Sequence, residues 1–62
     1  MAQSDARPLW SPSELANYLG VPVTTIYRWQ HIGTAPPSIR LGRHTRYRPD
    51  AVDRWLNAKE NA

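Results

Sequence analysis

The chain has 62 residues, with 8 Lys+Arg against 5 Asp+Glu, 40% hydrophobic residues, 3 Trp, no Phe and no Cys. A chain of this length holds one domain and buries only about 60% of the surface its unfolded form exposes, which excludes a two-domain enzyme. Without cysteine there is neither a disulfide nor a thiolate zinc site to staple the fold, and the apolar runs are too short for a bilayer span or a signal-peptide core, so a cytoplasmic protein is expected.

Residues 1–9 are small and polar without periodicity and read as a flexible N-terminal tail. Ser11-Pro12-Ser13-Glu14 is a strong helix start, with Ser11 as N-cap, Pro12 at the first helical position and Glu14 completing a capping box. Trp10, just before the cap, stands at staple spacing from Leu15. Leu15, Ala16 and Leu19 continue the apolar stripe and Gly20 is placed to end it, giving a helix over 12–19.

Gly20-Val21-Pro22 is too short for anything except an abrupt change of direction into a second helix from Val23 to about His31. At about 100° per residue, Val23, Ile26 and Trp29 fall on a packed side. Thr24, Tyr27, Arg28 and His31 fall on the other. Gln30 lands nearer the packed side and reads as part of a frayed last turn before Gly33 stops the helix.

Thr34-Ala35-Pro36-Pro37-Ser38 is a rigid non-helical spacer, because Pro37 forces Pro36 into extended geometry. Ile39-Arg40-Leu41 and Thr45-Arg46-Tyr47-Arg48 alternate with the period of a strand around a Gly42-Arg43-His44 loop. That spacing predicts a hairpin with Ile39, Leu41 and Tyr47 inward, Arg40, Arg46 and Arg48 outward, and Arg43 and His44 at the tip. Pro49 and Asp50 then open a third helix whose stripe is Val52, Trp55 and Leu56. The expected folded domain covers 10–58, with a C-terminal tail at 59–62.

Charge is distributed unevenly along this plan. Between Leu15 and Pro49 stand Arg28, Arg40, Arg43, Arg46 and Arg48 without a single Asp or Glu, so one surface carries a dense positive potential suited to a polyanion. Catalysis is not expected. His31 and His44 lack metal-ligand spacing, and Asp50 and Asp53 are explained by the positive end of the third helix. No metal, cofactor or catalytic residue is assigned.

A helix, a tight turn, a second helix and a basic hairpin together suit duplex DNA. A helix fills the major groove while the preceding one props it on the backbone, and arginines of a hairpin reach phosphates or the minor groove. On the second helix, Thr24 and Thr25 suit a thymine methyl or a phosphate, Arg28 suits guanine O6 and N7, and Tyr27 suits a phosphate. Each has a structural alternative: Thr25 as a helix-start cap, Tyr27 as edge packing, Arg28 as the partner of a carboxylate. Arg40, Arg43, His44, Arg46 and Arg48 form the candidate wing contacts. Trp10, Trp29 and Trp55 read as core and not as base-stacking platforms. Duplex RNA is disfavoured because its deep, narrow major groove does not admit the helix.

The run Ser-Pro-Ser-Glu-Leu-Ala-Asn-Tyr-Leu-Gly-Val-Pro-Val-Thr-Thr-Ile-Tyr-Arg-Trp at 11–29, followed by Gly33, Pro36, Arg40-Leu-Gly-Arg, Arg46-Tyr-Arg and Ala51-Val-Asp-Arg-Trp-Leu, resembles the small winged-helix domains of the excisionase family. These are related to AlpA-like regulators and to the N-terminal domain of MerR regulators, and the likeness covers residues 10–57. It implies a mainly helical winged helix-turn-helix of three helices plus a wing. Thr24, Thr25, Tyr27 and Arg28 would lie on the recognition helix, and the Arg40–Arg48 hairpin would be the wing. It further implies copies bound head-to-tail along DNA, DNA bending, and direction of a site-specific integrase toward excision, as in mobile genetic elements. A stand-alone transcriptional regulator is the alternative. Pro22 and Pro49 depart from the family's usual Ser- or Thr-type helix caps.

Overall fold

The computed structural model of the chain describes residues 8–61, so most of the expected N-terminal tail and Ala62 lie outside the described residues. Three helices, α1 (Pro12–Leu19), α2 (Val23–Ile32) and α3 (Pro49–Glu60), surround a core, with a hairpin of β1 (Ile39–Leu41) and β2 (His44–Arg46) between α2 and α3. The architecture is mainly helical with one two-stranded antiparallel sheet, a winged helix-turn-helix.

α1 forms where its capping chemistry dictates. The Glu14 amide donates to Ser11 Oγ at 3.2 Å and the Ser11 amide donates to Glu14 Oε1 at 2.8 Å, so two otherwise unpaired donors are satisfied reciprocally. The helix ends at Gly20, whose φ of 74° is the left-handed conformation that a side chain disfavours. There the Val21 amide donates to the Ala16 carbonyl at 3.0 Å, and the Gly20 amide reaches Asn17 at 3.3 Å, a Schellman closure. Three residues then suffice to turn the chain into α2.

α2 runs through Ile32 and α3 through Glu60, the latter past the boundary expected at residue 58. Neither start has a side-chain cap: Pro22 and Arg48 occupy the N-cap positions without a side-chain acceptor bond. Burial compensates. Leu15, Ile26, Tyr47 and Val52 are wholly buried, one contributed by each helix and one from just beyond β2. Each such burial stabilises by about 1.5–3 kcal/mol. Trp10, Leu19, Val21, Val23, Trp29 and Leu56 pack around them. Pro36 is also buried, so the proline spacer lies against the domain and is part of its packing.

Candidate nucleic-acid interface

α2 divides its residues as the helical period requires. Ile26 is inside and Val23 and Trp29 are half-buried, while Thr24, Tyr27, Arg28 and His31 are exposed on the opposite side. Tyr27 is 52% exposed, so about half of its surface is open to a partner while the rest is covered. Thr25 is half-buried in the first turn, where its amide donates to the Pro22 carbonyl at 2.9 Å. The carboxylate partner considered for Arg28 is absent: among the described residues no ion pair engages Arg28, and Asp50 instead approaches Arg54 at 3.8 Å within α3.

The hairpin differs from the sequence expectation by one residue, and that residue changes its faces. Its loop is Gly42-Arg43 alone, with Gly42 at φ 63° and Arg43 at negative φ, the pattern of a II′ turn that only a glycine enters without strain. Leu41 therefore pairs with His44, Arg40 with Thr45 and Ile39 with Arg46. Paired residues share a face, and slipping the register by one exchanges the two faces. Arg46 thus lies on the face of Ile39 and Leu41, not with Arg40 as alternation about a three-residue loop had placed it. His44 is a strand residue and not a tip residue. Leu41, expected inward, is 50% exposed, on the face it shares with His44 and Arg46.

These shifts sort the wing residues. Arg40, Arg43, His44 and Arg48 are exposed, and among the described residues no ion pair engages them. Arg46 is half-buried, and its Nη1 donates to the Thr45 carbonyl at 2.8 Å, so part of its donor capacity already serves the hairpin backbone. Tyr47 is buried as expected, but by a contact that the alternation did not suggest. Trp10 forms an isolated antiparallel bridge with it, each amide donating to the other's carbonyl at 2.9 Å. The residue before α1 is thereby a third strand stub beside the wing.

Two side-chain links complete the frame and were not read from the sequence. Gln30 Nε2 donates to the Tyr47 hydroxyl, joining α2 to the chain between Arg46 and Arg48. Gln30 is an ordered, half-buried residue of the helix and not part of a frayed end. The signal was its position four residues after Ile26, the same helical face, together with the need of a buried phenol for a partner. Tyr18 donates to Asp53 Oδ1 at 2.8 Å, tying α1 to α3, and its ring packs on Trp10 at a tilt of 42° with centroids 4.5 Å apart. Asp53 is therefore part of an inter-helix hydrogen bond and not simply a charge at a helix end.

The remaining aromatics lie on the other side of α2. Trp29 and Trp55 sit 5.9 Å apart and, with Leu19, Val21 and Leu56, line a cleft of about 360 Å³, where the Lys59 ammonium lies 5.1 Å from the Trp55 ring. They do not join Tyr27 and Arg28 on the exposed face. Among the described residues no group of three His, Asp or Glu is placed to hold a metal ion. No helix among them is long and apolar enough to cross a membrane.

Comparison with known proteins agrees with this geometry. No curated protein matches the chain at significance. The sequence pattern of a family described as a helix-turn-helix domain matches residues 11–60, from the N-cap of α1 to the end of α3. Its members are DNA-binding modules, typically without enzymatic activity. Matched over most of its length, the chain belongs to this helix-turn-helix domain family, which contains the excisionase- and AlpA-like small DNA-binding proteins.

Proposed function

We propose that the protein is a non-enzymatic, excisionase-like factor that binds adjacent sites on duplex DNA as a cooperative head-to-tail row, bends the DNA and directs an integrase toward excision. The observation that carries the DNA-binding part is a single one: the exposed face of α2, with Thr24, Tyr27 and Arg28, belongs to the same carboxylate-free stretch as the exposed Arg40, Arg43, His44 and Arg48 of the hairpin. α2 enters the major groove, where Arg28 reads guanine and Thr24 meets a thymine methyl, with Thr25 and Tyr27 toward the flanking backbone. The hairpin arginines neutralise phosphates or enter a narrowed minor groove, Arg46 through what remains of its donor capacity. Cooperation between copies follows from size, since one small module binds weakly and gains from linkage to its neighbours. The excisionase assignment draws on the resemblance carried by residues 11–29 and by Arg46-Tyr47-Arg48. A stand-alone transcriptional regulator uses the same surface and is supported by the AlpA-like members of the family.

The test is selection from a pool of random duplex DNA at two salt concentrations, followed by titration and bending assays on the enriched sequence. Direct repeats about one helical turn apart, filled cooperatively and bent, support the proposal. One isolated site bound tightly, without clustering or bending, overturns the excisionase reading in favour of the regulator. Salt-sensitive retention without any enriched motif removes sequence reading by α2.

A further inference from the structure

The exposed face of α2 and the basic hairpin come from separate stretches of chain, so something must set their relative position. The contact between them is on the inner side. Tyr47 is wholly buried, is flanked by Arg46 and Arg48, and accepts a hydrogen bond from Gln30, which stands two residues after Arg28 on α2. Its backbone is held separately by Trp10. Two apolar side chains would fill this volume without burying polar atoms, so core packing alone does not account for the pair. What a hydrogen bond adds to packing is direction, because it weakens steeply when its donor and acceptor turn away from one another.

We propose that the Gln30–Tyr47 hydrogen bond sets the spacing between the helix contacts and the hairpin contacts on DNA. Gln30 and Tyr47 are then positioning residues, acting through Arg28 on one side and through Arg46 and Arg48 on the other without touching a nucleotide. The inference rests on the duplex-DNA reading proposed above. Its physical benefit is preorganisation: a wing already held at the right distance need not be ordered when DNA binds. With the bond broken, helix and wing engage more independently, and the effective concentration of the second contact falls.

The experiment compares Tyr47→Phe, Gln30→Met and the double variant with the wild-type chain, after far-UV circular dichroism has established that each is folded. Residual dipolar couplings of backbone amides in the free protein report the hairpin's orientation relative to α2. Affinity is measured for the duplex that the wild-type protein enriches most from a random pool. Each single variant is expected to shift the hairpin's orientation and to weaken binding about five-fold, the effect of one typical net hydrogen bond. The double variant should be no weaker than either single, since both remove the same link. Variants that lower only the melting temperature, keeping wild-type orientation and affinity while folded, overturn the inference. If the wild-type protein retains no duplex at all, the proposed function fails, and the free-protein couplings still decide whether this bond fixes the hairpin.

Discussion

α2 and the hairpin both carry exposed cations, but they are held in place by different means. α2 has Ile26 wholly buried on one face and Arg28 exposed on the other, so the core fixes the direction of its outer side chains. The hairpin has no comparable anchor along its length. Leu41, Gly42, Arg43 and His44 are all exposed, and its attachment is concentrated at its far end, where Tyr47 meets Trp10 and Gln30. A rigid helix face suits discrimination between bases, whereas a tip fixed only at its base suits phosphates, which tolerate variation in position. On the proposed function, the two regions therefore divide reading from grip.

The comparison breaks most completely at Tyr47. Tyr47→Ala empties a wholly buried aromatic site and costs about 3–5 kcal/mol, comparable to the whole stability of a domain this small. Loss of the helical circular dichroism signal at room temperature is the expected outcome. A cooperative melt near that of the wild type would mean that the hairpin is dispensable to the core.

Arg28→Ala sharpens the reading half. On the proposed function it costs about 1–3 kcal/mol on the enriched duplex and relaxes preference at one base position, as a repeated selection would reveal. A uniform loss across all sequences would move Arg28 from base to phosphate. Gly42→Ala comes next. Beyond its chain neighbours no atom lies within 4 Å of the added methyl group, so its cost of about 1 kcal/mol comes from the positive φ and is read as a lower melting temperature. Arg43→Ala should change least in the folded protein and in sequence preference. Its signature is a salt dependence of binding that is shallower by about one unit of logarithmic slope, which titration at several salt concentrations measures.

Legibility in the sequence follows the same division. α1 is readable to its ends because its signals are local: the Ser11–Glu14 box, Pro12 and Gly20. The exposed face of α2 is readable because helical period depends on nothing beyond the helix. Hairpin faces are another matter, since a strand's period of two makes them hostage to loop length. Reading three loop residues where the backbone uses two reversed the position of Arg46 relative to Arg40. Gln30 and Asp53 were ambiguous for a different reason: their partners, Tyr47 and Tyr18, are brought to them only by the tertiary fold. The family's pattern runs from residue 11 to residue 60, across the helix pair, the hairpin and α3 alike.

The bridge between Trp10 and Tyr47 also has a kinetic consequence. It joins positions on either side of α1, α2, β1 and β2, a long closure, whereas α1 meets α2 across three residues and β1 meets β2 across two. Long closures form only after their entropy has been offset by contacts made elsewhere. Sequence separation alone therefore predicts that the helix pair and the hairpin form before the strand stub at Trp10 joins them. On that order the bridge is expected to open before the helix pair, so the Tyr47 amide should exchange with solvent faster than the amides flanking Ile26, despite equal burial of the two side chains. Trp10 thereby adds a backbone restraint at the base of the wing to the side-chain one from Gln30.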